Sequence, residues 1–99
     1  MTNGEDVTLG YRVRVADEVV FRAMATETVL LDLRSGRYFG LNTTAGRMLQ
    51  LLSDHGDADE VVTAMAEETG QPTEVIARDL DELCTTLSER GLVEVDADR

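Results

Sequence analysis

The chain has 99 residues, of which 42% are hydrophobic and 29% are charged, and its formal net charge is −11. A chain of this size forms one domain around one core, and no apolar run approaches the ~20 residues of a membrane-spanning helix. One cysteine excludes an internal disulfide bond.

The charge is unevenly distributed. Residues 1–49 carry six acids and six arginines, whereas residues 50–99 carry fourteen acids and three arginines. The sequence contains no lysine. Such a surface repels phosphate and favours basic or neutral partners, so nucleic acid is not expected to bind. No membrane partner is expected either.

The N-terminal half predicts strands. Residues 1–10 are polar and predict a flexible tail; they lack the basic and apolar regions of a secretion signal, which predicts a cytoplasmic protein. Residues 11–15 alternate and predict a short strand or an extended arm. Three strands are predicted at 19–24, 28–33 and 37–41. Their short links indicate an antiparallel meander, with the third strand at the sheet edge unless 11–15 pairs with it.

The C-terminal half predicts three helices. The first runs from about Thr43 to Ser53, the second begins at Asp57 with a capping box and ends at Gly70, and the third runs from about Pro72 to Gly91. Residues 92–95 predict a short final strand. Strands followed by helices indicate an α+β fold. The predicted core stripe of the third helix is Ile76, Leu80, Leu83, Cys84 and Leu87.

Residues that carry chemistry are few. His55, the sole histidine, lies in a predicted loop without the partners of a catalytic or metal-bound histidine. Cys84 lies on an apolar stripe, where a free cysteine acts as a small hydrophobe. The chain has neither a phosphate loop nor a Walker lysine. We therefore predict that it is not an enzyme and has no catalytic residue, cofactor or metal.

The third strand has two different faces. Alternation places Arg37, Phe39 and Leu41 on one face and Tyr38 and Gly40 on the other. Core packing accounts for Phe39 and Leu41, but not for Tyr38. An edge strand also offers unpaired backbone groups to an incoming strand.

Residues 28–42, TVLLDLRSGRYFGLN, closely resemble the signature of the PqqD-like family. The following Ala45-Gly46 and the segment 48–52 also match, and the resemblance covers residues 19–95. It implies a single peptide-recognition domain over 11–95. The implied fold is winged-helix-like, with an N-terminal three-stranded antiparallel sheet followed by three helices.

The resemblance also implies a function. Members of this family recognise ribosomally made, post-translationally modified peptides by adding the precursor's leader segment as a strand beside the third strand, in a groove bordered by the third helix. Tyr38 is then expected to pack on an aromatic or proline of the leader, Asp79 and Glu82 to pair with a basic residue, and Arg78 with an acidic one. The implied peptide-binding residues are Arg37, Tyr38, Phe39, Gly40, Leu41, Val75, Arg78, Asp79 and Glu82.

Several functions compete at this point. A free-standing chain of this length most resembles the discrete leader-binding protein of a lasso-peptide pathway, which delivers the precursor to a leader protease and then a cyclase. A peptide chaperone for a radical enzyme of quinone-cofactor synthesis is the alternative. A winged-helix nucleic-acid binder is disfavoured because the third helix is acidic. A small enzyme is disfavoured because no nucleophile is paired with a base.

Overall fold

A computed structural model describes residues 8–97 of the chain. Strands and helices follow one another in the expected order, which confirms the α+β class. Of the predicted tail at 1–10, residues 1–7 lie outside the described residues. The elements are β1 Tyr11–Val15, β2 Val19–Ala23, β3 Thr28–Asp32, β4 Arg37–Leu41, α1 Thr43–His55, α2 Ala58–Thr69, α3 Thr73–Glu89 and β5 Val93–Ala97.

The predicted antiparallel meander is present. Strands β2, β3 and β4 form one sheet in that order, with β3 in the centre. Leu30 in the middle of β3 lies opposite Phe21 of β2 and Phe39 of β4. The side chain of Leu30 is fully buried, so this row anchors the sheet to the helices beneath it.

The predicted sheet layout is incomplete, because a second sheet is present. Strand β1 pairs with β5 in an antiparallel two-stranded sheet in which Val13 lies opposite Val95. The arm at 11–15 therefore does not extend the first sheet. The partner of β1 lies about 80 residues further along the chain, and a local pattern cannot reveal a pairing of that separation.

Contacts to the α1–α2 connection hold β1 in place. The Val13 N–H donates to the Gly56 carbonyl at 2.8 Å. The N–H groups of Leu9 and Gly10 both donate to the carboxylate of Asp59, at 2.6 and 3.0 Å. Because Asp59 lies in the first turn of α2, its charge also stabilises that helix end.

The helix ends follow the capping rules, except that Glu60 does not complete the capping box of α2 and Pro72 lies at the N-cap of α3 rather than in its first turn. Asn42 accepts from the Ala45 N–H at 2.8 Å and so caps α1. The Asp57 carboxylate caps α2 through the Asp59 N–H at 2.9 Å. The Glu60 carboxylate of the predicted capping box instead lies 3.5 Å from His55 Nδ1. Pro72 directly precedes α3 at its N-cap.

Helix α1 packs against β3 and β4 of the three-stranded sheet, and the elements together enclose a single apolar core. Helix α3 buries most of its predicted stripe, but Leu83 is only half-buried at the margin of the core, where the stripe had placed it inside. Within the described residues, no helix combines the length and apolar character that crossing a membrane requires. The largest fully buried side chains are Leu30, Met48, Leu49, Leu52, Met65, Leu80, Leu92 and Val61.

Candidate functional site

Strand β4 has an open side. In the described part of the chain, β3 pairs with it on one side and no strand pairs with it on the other. This confirms the expectation that the third strand of the meander lies at the sheet edge. The edge is five residues long, from Arg37 to Leu41, which is enough for an incoming extended peptide to form several main-chain hydrogen bonds.

The hydrogen-bond alternation identifies which backbone groups face outward. The Leu33 N–H donates to the Glu18 carbonyl and the Met24 N–H donates to the Glu27 carbonyl, at 2.8 and 2.7 Å. Because antiparallel hydrogen bonds alternate between the two sides of a strand, the backbone groups of Leu30 must point toward β4 and its partner Phe39. The N–H and C=O groups of Tyr38 and Gly40 therefore point to the open edge.

The side chains of β4 alternate as the sequence predicts. Phe39 and Leu41 are half-buried on the helix side of the sheet, where they pack against the core. Arg37 shares their face but is exposed. Tyr38 lies on the opposite face, 71% exposed.

The C-terminal end of α3 lies beside β4, and the helical period assigns one flank of α3 to the same side. Asp81 lies on the opposite flank, where the Tyr11 hydroxyl of β1 donates to its carboxylate at 3.1 Å. Arg90, at the C-terminal cap of α3, lies 5.4 Å from the ring centre of Phe39. Asp79 precedes Arg90 by three helical turns and so lies on its flank. Together with half-buried Val75 and Leu83 and the strand Arg37–Leu41, this flank forms what we call the strand–helix face.

The predicted site residues of α3 divide into two groups. Val75 and Asp79 are half-buried on the strand–helix face. Arg78 and Glu82 are exposed and lie further round the helix, toward solvent. The Arg78 Nε lies 3.7 Å from the Asp79 carboxylate, so this arginine is directed along the helix surface.

The sequence pattern does not place two residues, Leu83 and Arg90, on this face. Leu83 fits the apolar period of α3, which predicts a core position. Arg90 ends the helix, where a basic residue is expected in any case, and its proximity to Phe39 is a tertiary contact. Val75, Asp79 and Leu83 are all half-buried and follow one another at intervals of one helical turn. This regular interval is the sequence signal that identifies the flank.

The β3–β4 turn is fixed by the carboxylate of Asp32. It accepts from the Arg34 backbone N–H at 3.0 Å, the Arg34 Nε at 3.1 Å and the Ser35 hydroxyl at 3.2 Å. The hydrogen bond from the Arg34 side chain lowers the pKa of Asp32 below its ordinary value. Arg34 also donates to the Gly91 carbonyl at 2.9 Å, which ties the turn to the end of α3. Strand β4 and helix α3, the two walls of the strand–helix face, are therefore joined at this end.

The residues considered for catalysis have structural surroundings. Burial raises the pKa of the Cys84 thiol to about 11, so this group is protonated at neutral pH. Burial also raises the pKa of Tyr11, with the neighbouring Cys84 and Asp81 adding to the effect. Residues 8–97 contain no cluster of three or more histidine, cysteine or acidic side chains suited to a metal ion.

Comparisons with known proteins agree with this geometry. The family model described as coenzyme PQQ synthesis protein D (PqqD) matches residues 27–93. The structure of TbiB1 in complex with the TbiA(beta) leader peptide is 32% identical, with a TM-score of 0.76 over 82% of this chain and 94% of that one. Lasso peptide synthetase B1 complexed with the leader peptide is 31% identical, with a TM-score of 0.74 over 84% of this chain and 98% of that one. No curated protein sequence matches the chain.

Proposed function

The chain belongs to the family of coenzyme PQQ synthesis protein D, and from this membership we propose that it is a non-catalytic adaptor for a ribosomally made precursor peptide. It binds the leader segment of that precursor and presents it to modifying enzymes. The observation that carries the proposal is the open β4 edge beside the half-buried flank of α3. Two similar solved structures, each of a complex with a leader peptide, support it.

The leader adds to the sheet as a strand. Its main chain pairs with the outward N–H and C=O groups of Tyr38 and Gly40. Each net hydrogen bond contributes only about 0.5–1.5 kcal/mol, so backbone pairing alone gives weak binding. Side chains of the leader that enter between Phe39, Leu41 and Leu83 supply the remainder by burying apolar surface, at about 25 cal/mol per Å². Main-chain pairing thus gives affinity and the pockets give selectivity.

Charged residues of α3 add selectivity. Asp79 is half-buried on the strand–helix face, and we expect it to attract a basic leader residue. Glu82 and Arg78 are exposed nearby, so they contact the leader only where its side chains reach around the helix. Interactions at such exposed positions contribute about 0–1 kcal/mol each.

The pathway we favour is lasso-peptide synthesis, with a leader protease and a cyclase as the partner enzymes. Both similar structures carry leader peptides, and one is named a lasso peptide synthetase component. Delivery to a radical enzyme of quinone-cofactor synthesis is the alternative, because the family model bears that description. A winged-helix nucleic-acid binder remains disfavoured, since α3 carries Glu74, Asp81 and Glu89 on its exposed surface.

The test is a titration of two matched variants with a fluorescent peptide that copies the leader of a candidate precursor. Phe39 and Phe21 are both half-buried and both lie opposite Leu30, but Phe39 is on β4 and Phe21 is on β2. Wild type should bind at micromolar affinity or better, about −8 kcal/mol. Phe39→Ala should weaken binding by about tenfold or more, because it removes apolar area from the strand–helix face.

Phe21→Ala is the control, since it removes a phenyl ring of the same size on the other side of Leu30. It should leave the affinity within about threefold of the wild-type value. Thermal unfolding of both variants checks that each remains folded. Equal weakening by the two substitutions would reject the β4 edge as the binding site. No binding by wild type would reject the adaptor function for that precursor.

A further inference from the structure

Two arginines converge on one aromatic ring at the strand–helix face. The guanidinium carbons of Arg37 and Arg90 lie 6.0 and 5.4 Å from the ring centre of Phe39. Arg37 comes from the first position of β4 and Arg90 from the C-terminal cap of α3. The two walls of the face therefore each contribute one cation at the same end.

Of the eight arginines in residues 8–97, four form an ion pair with a carboxylate, and these two are among the four that do not. Arg14, Arg34, Arg47 and Arg78 each lie within 4.0 Å of a carboxylate oxygen. Arg37 and Arg90 form no such ion pair within residues 8–97. The nearest candidate partner in register with Arg37 is Asp32, whose carboxylate is already held by Arg34 and Ser35.

The position of the pair is defined relative to an added strand. A strand paired with β4 lies about 4.8 Å from it, with alternate side chains on the helix side of the sheet. A side chain of that strand opposite Phe39 therefore comes within reach of both guanidinium groups. The adjacent ring excludes water on one side and so strengthens a charge-assisted hydrogen bond formed there.

From this arrangement we propose that Arg37 and Arg90 form a carboxylate subsite that selects a leader with an acidic side chain at one fixed position. The subsite rests on the proposed leader-binding function and adds a specificity element to it. A protein with a net charge of −11 otherwise repels acidic peptides. The local pair of free cations reverses this preference at one point, whereas half-buried Asp79 attracts the opposite charge elsewhere on the face. The two together fix the register of the leader.

The experiment selects binders from a phage-displayed library of random peptides longer than the five residues of β4. The bait is the full-length wild-type protein, and peptides are retained only if Gly40→Pro abolishes their binding, because that substitution blocks the open edge. We expect the retained peptides to share Asp or Glu at one position. Replacing that acid by its amide should weaken binding to wild type by about tenfold.

The same peptides are then titrated into variants. Arg37→Gln and Arg90→Gln should each weaken binding by about tenfold and should make the acid-to-amide change in the peptide nearly neutral, as a double-mutant cycle requires. Arg22→Gln is the matched control, since Arg22 is an exposed arginine of the same sheet on β2. Arg22→Gln should leave unchanged both the affinity for the peptide and the loss of affinity caused by the acid-to-amide change. Arg37→Glu combined with Arg90→Glu should select Lys or Arg at the same position.

The outcomes separate the two proposals. If wild type selects no peptide that depends on the β4 edge, the proposed leader-binding function fails. If such peptides are found but carry no acid at a fixed position, or if Arg37→Gln and Arg90→Gln bind them as Arg22→Gln does, the carboxylate subsite is wrong and leader binding stands. Because both arginines are exposed, the variants are expected to fold, and circular dichroism verifies it.

Discussion

Among single residues, Gly46 determines how closely α1 approaches the sheet. A Cβ at this position would lie 2.7 Å from the Thr28 Cβ and closer still to the Thr28 hydroxyl oxygen. Thr28 is itself buried at the start of β3. The helix that follows β4 therefore seats directly on the sheet only because residue 46 lacks a side chain.

This contact predicts that Gly46→Ala destabilises the protein, although the substitution would stabilise a helix without such a contact. Alanine is a better helix former than glycine by about 1 kcal/mol, so Gly46→Ala would stabilise an unconstrained helix. Overpacking against Thr28 costs about 1–3 kcal/mol. We expect a net loss of up to about 2 kcal/mol, measured by urea unfolding. Thr44→Ala, at an exposed position of α1, should change stability by no more than about 0.5 kcal/mol. A more stable Gly46→Ala would show that the close approach is absent.

The Asp32 carboxylate makes the β3–β4 turn sensitive to acid. Its folded-state pKa is lowered by the hydrogen bond from Arg34. A lowered folded pKa contributes stability that is present above the unfolded carboxyl pKa, about 3.9, and is lost as the pH falls through the folded value. Asp32→Asn should therefore be less stable than wild type at neutral pH, and the difference should shrink in acid.

Urea midpoints at about pH 7 and pH 3 measure this effect. Glu89→Gln, at an exposed position of α3, is the control and should track wild type at both values. A stability difference between wild type and Asp32→Asn that stays constant across this range would contradict the role of the ionised carboxylate in the turn.

The three helices and the strands of the three-stranded sheet were predictable because their sequence signals are local. The turn around Gly36 and the alternation of Arg37, Phe39 and Leu41 define β4 within ten residues of β3. The β1–β5 pair was missed in part, because Tyr11–Val15 and Val93–Ala97 meet only after three helices have packed. The place of Arg90 beside Phe39 depends on the same packing, so sequence alone identified the edge strand but only half of the α3 wall.

Strand β1 and helix α3 together enclose Cys84, which is buried and has a thiol pKa of about 11. At mildly alkaline pH, labelling by a disulfide reagent should be at least about 100-fold slower in the folded protein than in urea, because both burial and the small thiolate fraction oppose the reaction. Cys84→Ala should keep leader binding within about threefold of wild type, since a buried hydrophobe takes no part in it. Rapid labelling of the folded protein, or loss of binding in Cys84→Ala, would point to a chemical role.

Across the whole molecule, the N-terminal half of the chain supplies the open strand edge and the C-terminal half supplies the negative charge. Residues 1–49 supply the sheet that offers the open edge and carry no net charge, and the acidic residues lie mainly on α2, α3 and β5. In the proposed complex, a leader strand added to β4 would therefore lie between a sheet without excess negative charge and an acidic helix. This arrangement accounts for an adaptor that reads a peptide through its backbone and a few placed charges.

Strand addition at β4 is the central claim, and the most direct test alters one backbone N–H of the open edge. Gly40→Pro removes the outward N–H without taking a hydrogen bond from β3. Gly40→Ala is the control, because its added Cβ meets only the flexible carboxylate of Glu27, at 2.9 Å, and its N–H is kept. In a leader titration, Gly40→Ala should bind within about threefold of wild type, whereas Gly40→Pro should bind at least about tenfold more weakly. Equal affinity of wild type, Gly40→Ala and Gly40→Pro would contradict strand addition at this edge.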